Sequence, residues 1–167
     1  DYTVDVHTLK VLQGVMSNPE YRLLSDNDKR LLNIATLMHD LTKTEGAVDK
    51  THPQFSAFDT YYILEKMNMP ERDKIKVYQL IKNHDWSEKY NAKVPIGGGK
   101  HRELTPKERT KVAKDIAFEM RDGKNFRMAS ILAEADLKGV KESGEFYDKY
   151  RYSLEQGKHE IAQLVDQ

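Results

Sequence analysis

A chain of 167 residues with 38% hydrophobic and 32% charged side chains is long enough for one well-buried domain and short for two. Its 27 basic and 27 acidic residues cancel, so no overall field draws it to nucleic acid or to an anionic membrane. No apolar stretch approaches the roughly 20 residues that span a bilayer, and no basic region precedes an apolar core at the N-terminus. The absence of cysteine excludes disulfides, thiolate metal ligands and cysteine nucleophiles. Together these features predict a cytoplasmic protein. The chain starts at Asp1, without an initiator Met and with a candidate ligand at His7, which points to a piece of a larger multidomain protein.

Helical periodicity dominates. Val4, Leu9, Val11, Leu12, Val15 and Met16 form one apolar face before the turn SNPE. Leu31, Leu32, Ile34, Ala35, Leu37, Met38 and Leu41 form a second, with Ser25, Asp26 and Asp28 suited to cap its start. The segment TKTEGAVDKTHP breaks the pattern, and a third helix is expected from about Pro53 to Met67. After Met69 and Pro70 a fourth runs through Ile75, Tyr78, Leu80, Ile81 and Trp86. The stretch SEKYNAKVPIGGGKHREL, with glycine at 97–99, reads as a long irregular loop. Thr105, Pro106 and Glu108 supply the cap, first-turn proline and third-position acid of a fifth helix ending near Met120. A sixth spans 125–141, and one or two helices complete the chain, with Gly157 as a break or kink. The expectation is an all-α bundle of about seven helices, a single domain over 1–167 with its motifs in 1–140 and terminal helices in 141–167.

Chemistry concentrates in the order His7, His39–Asp40, His52, His84 and Asp136. Imidazole and carboxylate are the ligand set of hard-to-borderline divalent ions such as Mn²⁺, Mg²⁺, Fe²⁺, Ni²⁺ or Co²⁺. Neighbours on a helix point about 100° apart, so His39 and Asp40 can serve one ion only where the second helix ends. The apolar pattern stops at Leu41, which permits that. Five histidine-bearing or acidic segments in order weigh more than one His–Asp pair, which is common by chance. The other candidates have plainer readings. His101 and Arg102 lie in the glycine loop, where an exposed turn is the simpler account and a lid the sharper one. His159 reads as surface, Asp85 as a helix end and Glu134 as a salt-bridge partner.

The segments DVHTLKVL, LMHDLTK, THPQFSAFD, IKNHDW and AEADLKG resemble the HD superfamily of metal-dependent phosphohydrolases. Their wording is closest to HD domains attached to bacterial nucleotidyltransferases, of the uridylyl-removing and CCA-adding types. The resemblance covers about 1–140. It implies an HD-type bundle with His7, His39, Asp40 and Asp136 holding a first ion. His52 and His84 would hold a second, with Asp40 bridging. It implies catalysis at Asp40, with Lys43 meeting a substrate phosphate. Lys138, in the last motif, and Arg102 are further candidate phosphate contacts, with Lys82 and Lys100 as more distant cations. The implied reaction is hydrolysis of a phosphomonoester or phosphodiester, of a nucleotide or nucleotidylated substrate, by water on one or two divalent ions. A binuclear-iron oxygenase and a non-catalytic nucleotide-sensing module use the same fold and stay open. A Glu–Asp pair after the HD motif, which marks the stringent-response hydrolases, is not evident.

Overall fold

The computed structural model describes residues 3–43, 52–140 and 145–166. Among them are eight α-helices: α1 (Val4–Ser17), α2 (Asp26–Met38), α3 (His52–Lys66), α4 (Glu71–Lys82), α5 (Trp86–Tyr90), α6 (Pro106–Met120), α7 (Gly123–Lys138) and α8 (Glu145–Val165). A 3₁₀ turn, Pro19–Leu23, joins α1 to α2, and a two-stranded hairpin, β1 (Lys93–Gly97) and β2 (Lys100–Glu103), precedes α6. The all-α expectation holds. No helix among the described residues is long and apolar enough to cross a membrane.

The helix starts follow from their caps. Ser25 accepts from the Asp28 backbone N–H and starts α2, and Asp122 does the same for α7 through Asn125. Thr105 and Glu108 form the reciprocal capping box at α6, with Pro106 in the first turn. Helix α7 is the axis of the bundle, packing on α1, α2, α4, α6 and α8. Its burial of Phe126, Met128, Ile131, Leu132, Ala135 and Leu137 matches that position. Around it Val11, Val15, Leu31, Leu32, Leu80, Ile81, Trp86, Tyr90, Leu154 and Ile161 close one continuous core.

Three expected boundaries differ. The fourth helix stops at Lys82, where Asn83 caps it, and Trp86 begins a separate short helix. The glycine loop is an antiparallel hairpin, with Val94 opposite Arg102 and Pro95 opposite His101. Gly97, Gly98 and Gly99 turn it with φ of 96°, 60° and 73°, a run of left-handed backbone that side-chain-bearing residues resist. Gly157 does not break the terminal helix, which is continuous over 21 residues. The glycine lets α8 approach α5, for a Cβ there would stand 2.8 Å from the buried Trp86 ring and 3.1 Å from that of Tyr90.

Candidate metal centre

His7, Val11 and Val15 recur at four-residue spacing and form the buried line of α1. His7 is the end of that line, and it faces α7, where Asp136 lies. Its Nε2 is 2.7 Å from Asp136 Oδ1. On α2 the last helical residue is Met38, and His39 and Asp40 occupy the turn that follows. The helix therefore ends at the site, as the adjacency of the two residues requires. His39 Nε2 stands 3.3 Å from Asp136 Oδ1 and 3.3 Å from Asp40 Oδ2. His52 opens α3, with Nε2 3.0 Å from Asp40 Oδ1. The turn after Asp40 is tied to that helix start, since the Thr42 N–H donates to the Ser56 hydroxyl and the Thr42 hydroxyl donates to the His52 carbonyl. His84, just past α4, puts its Nε2 3.8 Å from Asp136 Oδ2.

Three of these imidazoles are fixed in the same way. The Nδ1 of His7, His39 and His84 meets the carbonyl of Gly139, Thr36 and Ile81 at 3.0, 2.5 and 2.6 Å respectively. A carbonyl only accepts, so each Nδ1 carries a proton and each Nε2 faces inward, where it becomes a ligand once any proton of its own is lost. That is the tautomer in which histidine binds a metal, with the outer nitrogen held by a backbone acceptor. The inward atoms form two groups, His7–His39–Asp40–Asp136 and Asp40–His52–His84, each with its atoms within 4.8 Å of one another. Ligands about 2.0–2.1 Å from an octahedral ion lie roughly 3 Å apart, which the separations of 2.7–3.5 Å in the first group match. Asp40 belongs to both groups, and its two oxygens face different ones.

The electrostatics fit a cation. Asp40 is 3% exposed, and its Oδ2 is buried with no hydrogen-bond partner. An orphaned carboxylate oxygen costs on the order of 1–3 kcal/mol or more unless something charged completes it. In the metal-free protein, protons partly fill that role. Burial opposes charge on His39, but its bonds to Asp136 and Asp40 outweigh this and raise its pKa to about 10. His7 is raised as well, with burial again opposing and the Asp136 bond prevailing. Both carboxyls are held well below the usual range against the cost of burial, through hydrogen bonds from His39 shared with His52 for Asp40 and with His7 for Asp136. His84 moves the other way, lowered by burial and then by the charge on His39. The residues present can hold a metal ion.

All six expected ligands converge, and so does Lys43, whose Nζ is 4.0 Å from Asp40 Oδ2. The remaining expected phosphate contacts do not. Lys138 follows Asp136 by two positions, about 200° around the helix, and its ammonium engages Glu134 at 3.2 Å and the Tyr147 ring. Arg102 is exposed on β2 and forks onto Glu108 at 2.7 and 3.2 Å, locked to the start of α6. Lys82 pairs with Glu119, and His101 and His159 are exposed. Glu134 accepts from Asn18, Lys138 and Tyr147, which bears out its reading as a partner in polar pairing.

Sequence reasoning missed Glu88. It stands on α5, one turn past His84, and is exposed. Crowding by protein and the like charges of Asp136 and Asp85 push its carboxyl up to about 7, against the pull of His52 and Lys43. The spacing from His84 was the available signal. Gly139 was missed too. It presents its carbonyl to His7, and a Cβ there would stand 3.3 Å from the His7 ring. No family model, curated protein or solved structure matches this chain, so the reading of the site rests on its own geometry.

Proposed function

We propose that this chain is a metal-dependent phosphoesterase of the HD type. One observation carries the reading: three histidines, each oriented by a backbone carbonyl at Nδ1, turn Nε2 toward half-buried Asp136 and toward buried Asp40, whose Oδ2 has no hydrogen bond of normal geometry. His7, His39, Asp40 and Asp136 would hold a first ion, and Asp40, His52 and His84 a second. A bound divalent ion supplies an activated water near neutral pH and neutralises phosphoryl oxygens.

The chain's own residues account for the rest. Asp136 and Asp40 fix the imidazoles and favour a dication over a proton or a monovalent ion. Lys43 sits at the rim beside Asp40, where its ammonium can meet a phosphoryl oxygen as a point charge. A nucleotide as the organic part is what the resemblance to HD domains suggests.

The test is hydrolysis of p-nitrophenyl phosphate and bis-p-nitrophenyl phosphate with Mn²⁺, Mg²⁺, Ni²⁺, Co²⁺ or Fe²⁺. Asp40→Asn, which keeps the shape and removes the charge, should abolish turnover and metal retention. Unchanged turnover refutes the proposal. The shared position of Asp40 between two ligand groups also suits a di-iron oxygenase, and oxygen consumption by the Fe²⁺ form in place of ester hydrolysis would select that reading.

A further inference from the structure

One cavity reaches the metal ligands. It has a volume of about 560 Å³, within the range of small-molecule sites, and is lined by Val4, Asp5, Thr8 and Leu9 of α1 and by Leu37, Asp40, Leu41 and Lys43 around the end of α2. Its polar chemistry sits at one end, where Asp40 and Lys43 are. The rest of the floor is aliphatic. Leu9, Leu37 and Leu41 are 62%, 48% and 45% exposed, although the apolar periodicity of their helices would bury them. Leu37 lies in the last turn of α2 and Leu41 in the turn just after Asp40, and both line the cavity beside that ligand. Scattered exposed leucines need no explanation, but three meeting in one cavity next to buried ligands form a patch that marks a binding surface.

Neither polar group among them offers a free donor hydrogen. The Thr8 hydroxyl donates to the Val4 carbonyl at 2.8 Å, and Asp5 accepts from the Thr3 hydroxyl. A sugar or polyol would find acceptors at Asp5 and Thr8 but no donor there, and the Asp5 carboxylate repels a phosphate from that end.

We propose that the alcohol portion of the substrate is apolar and lies on the Leu9–Leu37–Leu41 shelf, while its phosphoryl group meets Lys43 and the ion that Asp40 would hold. This rests on the phosphoesterase reading and sets an apolar alcohol in place of the nucleotide that the resemblance implies. An aromatic ring and an alkyl chain share the required chemistry.

The experiment is calorimetric titration of the Mn²⁺-loaded protein with methylphosphonate, phenylphosphonate and octylphosphonate, which are not hydrolysed. The phenyl or octyl compound should bind at least about tenfold tighter than the methyl one, from the apolar area the shelf covers. Leu9→Asn and Leu37→Asn should each cut that ratio at least about threefold. Phe118→Asn, at an exposed position on α6, should leave it unchanged. A tighter phenyl compound assigns a ring, and a tighter octyl compound assigns a chain. Equal affinity for all three overturns the shelf and leaves the phosphoesterase reading intact. Failure of all three to bind overturns that underlying reading.

Discussion

Metal binding here should release protons, and the amount can be worked from His39. This side chain is fully buried, and its pKa is raised to about 10 because its bonds to Asp136 and Asp40 outweigh the cost of burial. A histidine ligates only as the neutral imidazole. Removing its proton at pH 7 therefore costs about three pKa units at 1.36 kcal/mol each, or about 4 kcal/mol. The sign for the metal-free fold follows from the same shift. The folded pKa lies above the unfolded value of about 6.5, so the stabilisation from protonated His39 is fully present below about 6.5. It fades as pH rises through about 10. Metal occupancy reverses the dependence, because the ion takes the proton's place. Apparent affinity for Mn²⁺ should accordingly rise close to tenfold per pH unit between about pH 7 and about pH 8.5. Calorimetry in buffers of differing ionisation enthalpy should count at least one proton released at pH 7, with a further fraction from His7, whose pKa is also raised. An affinity flat with pH, with no proton released, would refute the assignment of His39 as a ligand.

Gly139→Ala should weaken Mn²⁺ binding about tenfold, the scale for disturbing a residue that orients a ligand, because its Cβ would stand 3.0 Å from Val11 and 3.3 Å from the His7 ring. Metal titration checks this, and unchanged affinity would mean the ring tolerates the push. Gly157→Ala forces a Cβ to within 2.8 Å of Trp86, an overpacking cost of about 1–3 kcal/mol set against up to about 1 kcal/mol of helix propensity. Thermal melting should show Tm falling by about 2–4 °C per net kcal/mol, whereas a rise in Tm would mean the rings give way freely. Steady-state kinetics on an active phosphoester should find Lys43→Ala with a raised KM, while Lys138→Ala and Arg102→Ala, which engage Glu134 and Glu108, keep theirs.

Helices and ligands were legible in the chain for the same reason: both leave periodic or chemical marks that do not depend on distant partners. The four-residue spacing of His7, Val11 and Val15 is a buried line before any fold is known, and the end of the α2 pattern beside His39 and Asp40 follows from the angle between helical neighbours. The hairpin left no such mark. Its strands bury neither face, so no alternation was written into Lys93–Glu103, and only its three glycines hinted at a turn. Gly157 carries the opposite lesson, since a glycine in a helix reads as a break from one strand of sequence and as a close approach once Trp86 is known to be its neighbour. Direction is what separates the cations expected at the site from one another. Lys138 lies in a motif segment beside Asp136, yet two residues of helix turn it to the far side. Lys43 differs because it leaves the same turn that delivers Asp40, three positions on, and so cannot face elsewhere. Proximity in sequence predicts proximity in the site only where the backbone between has stopped being a helix. By that rule a cation in the turn after Asp40 stands beside the ligand cluster, and one on α7 does not.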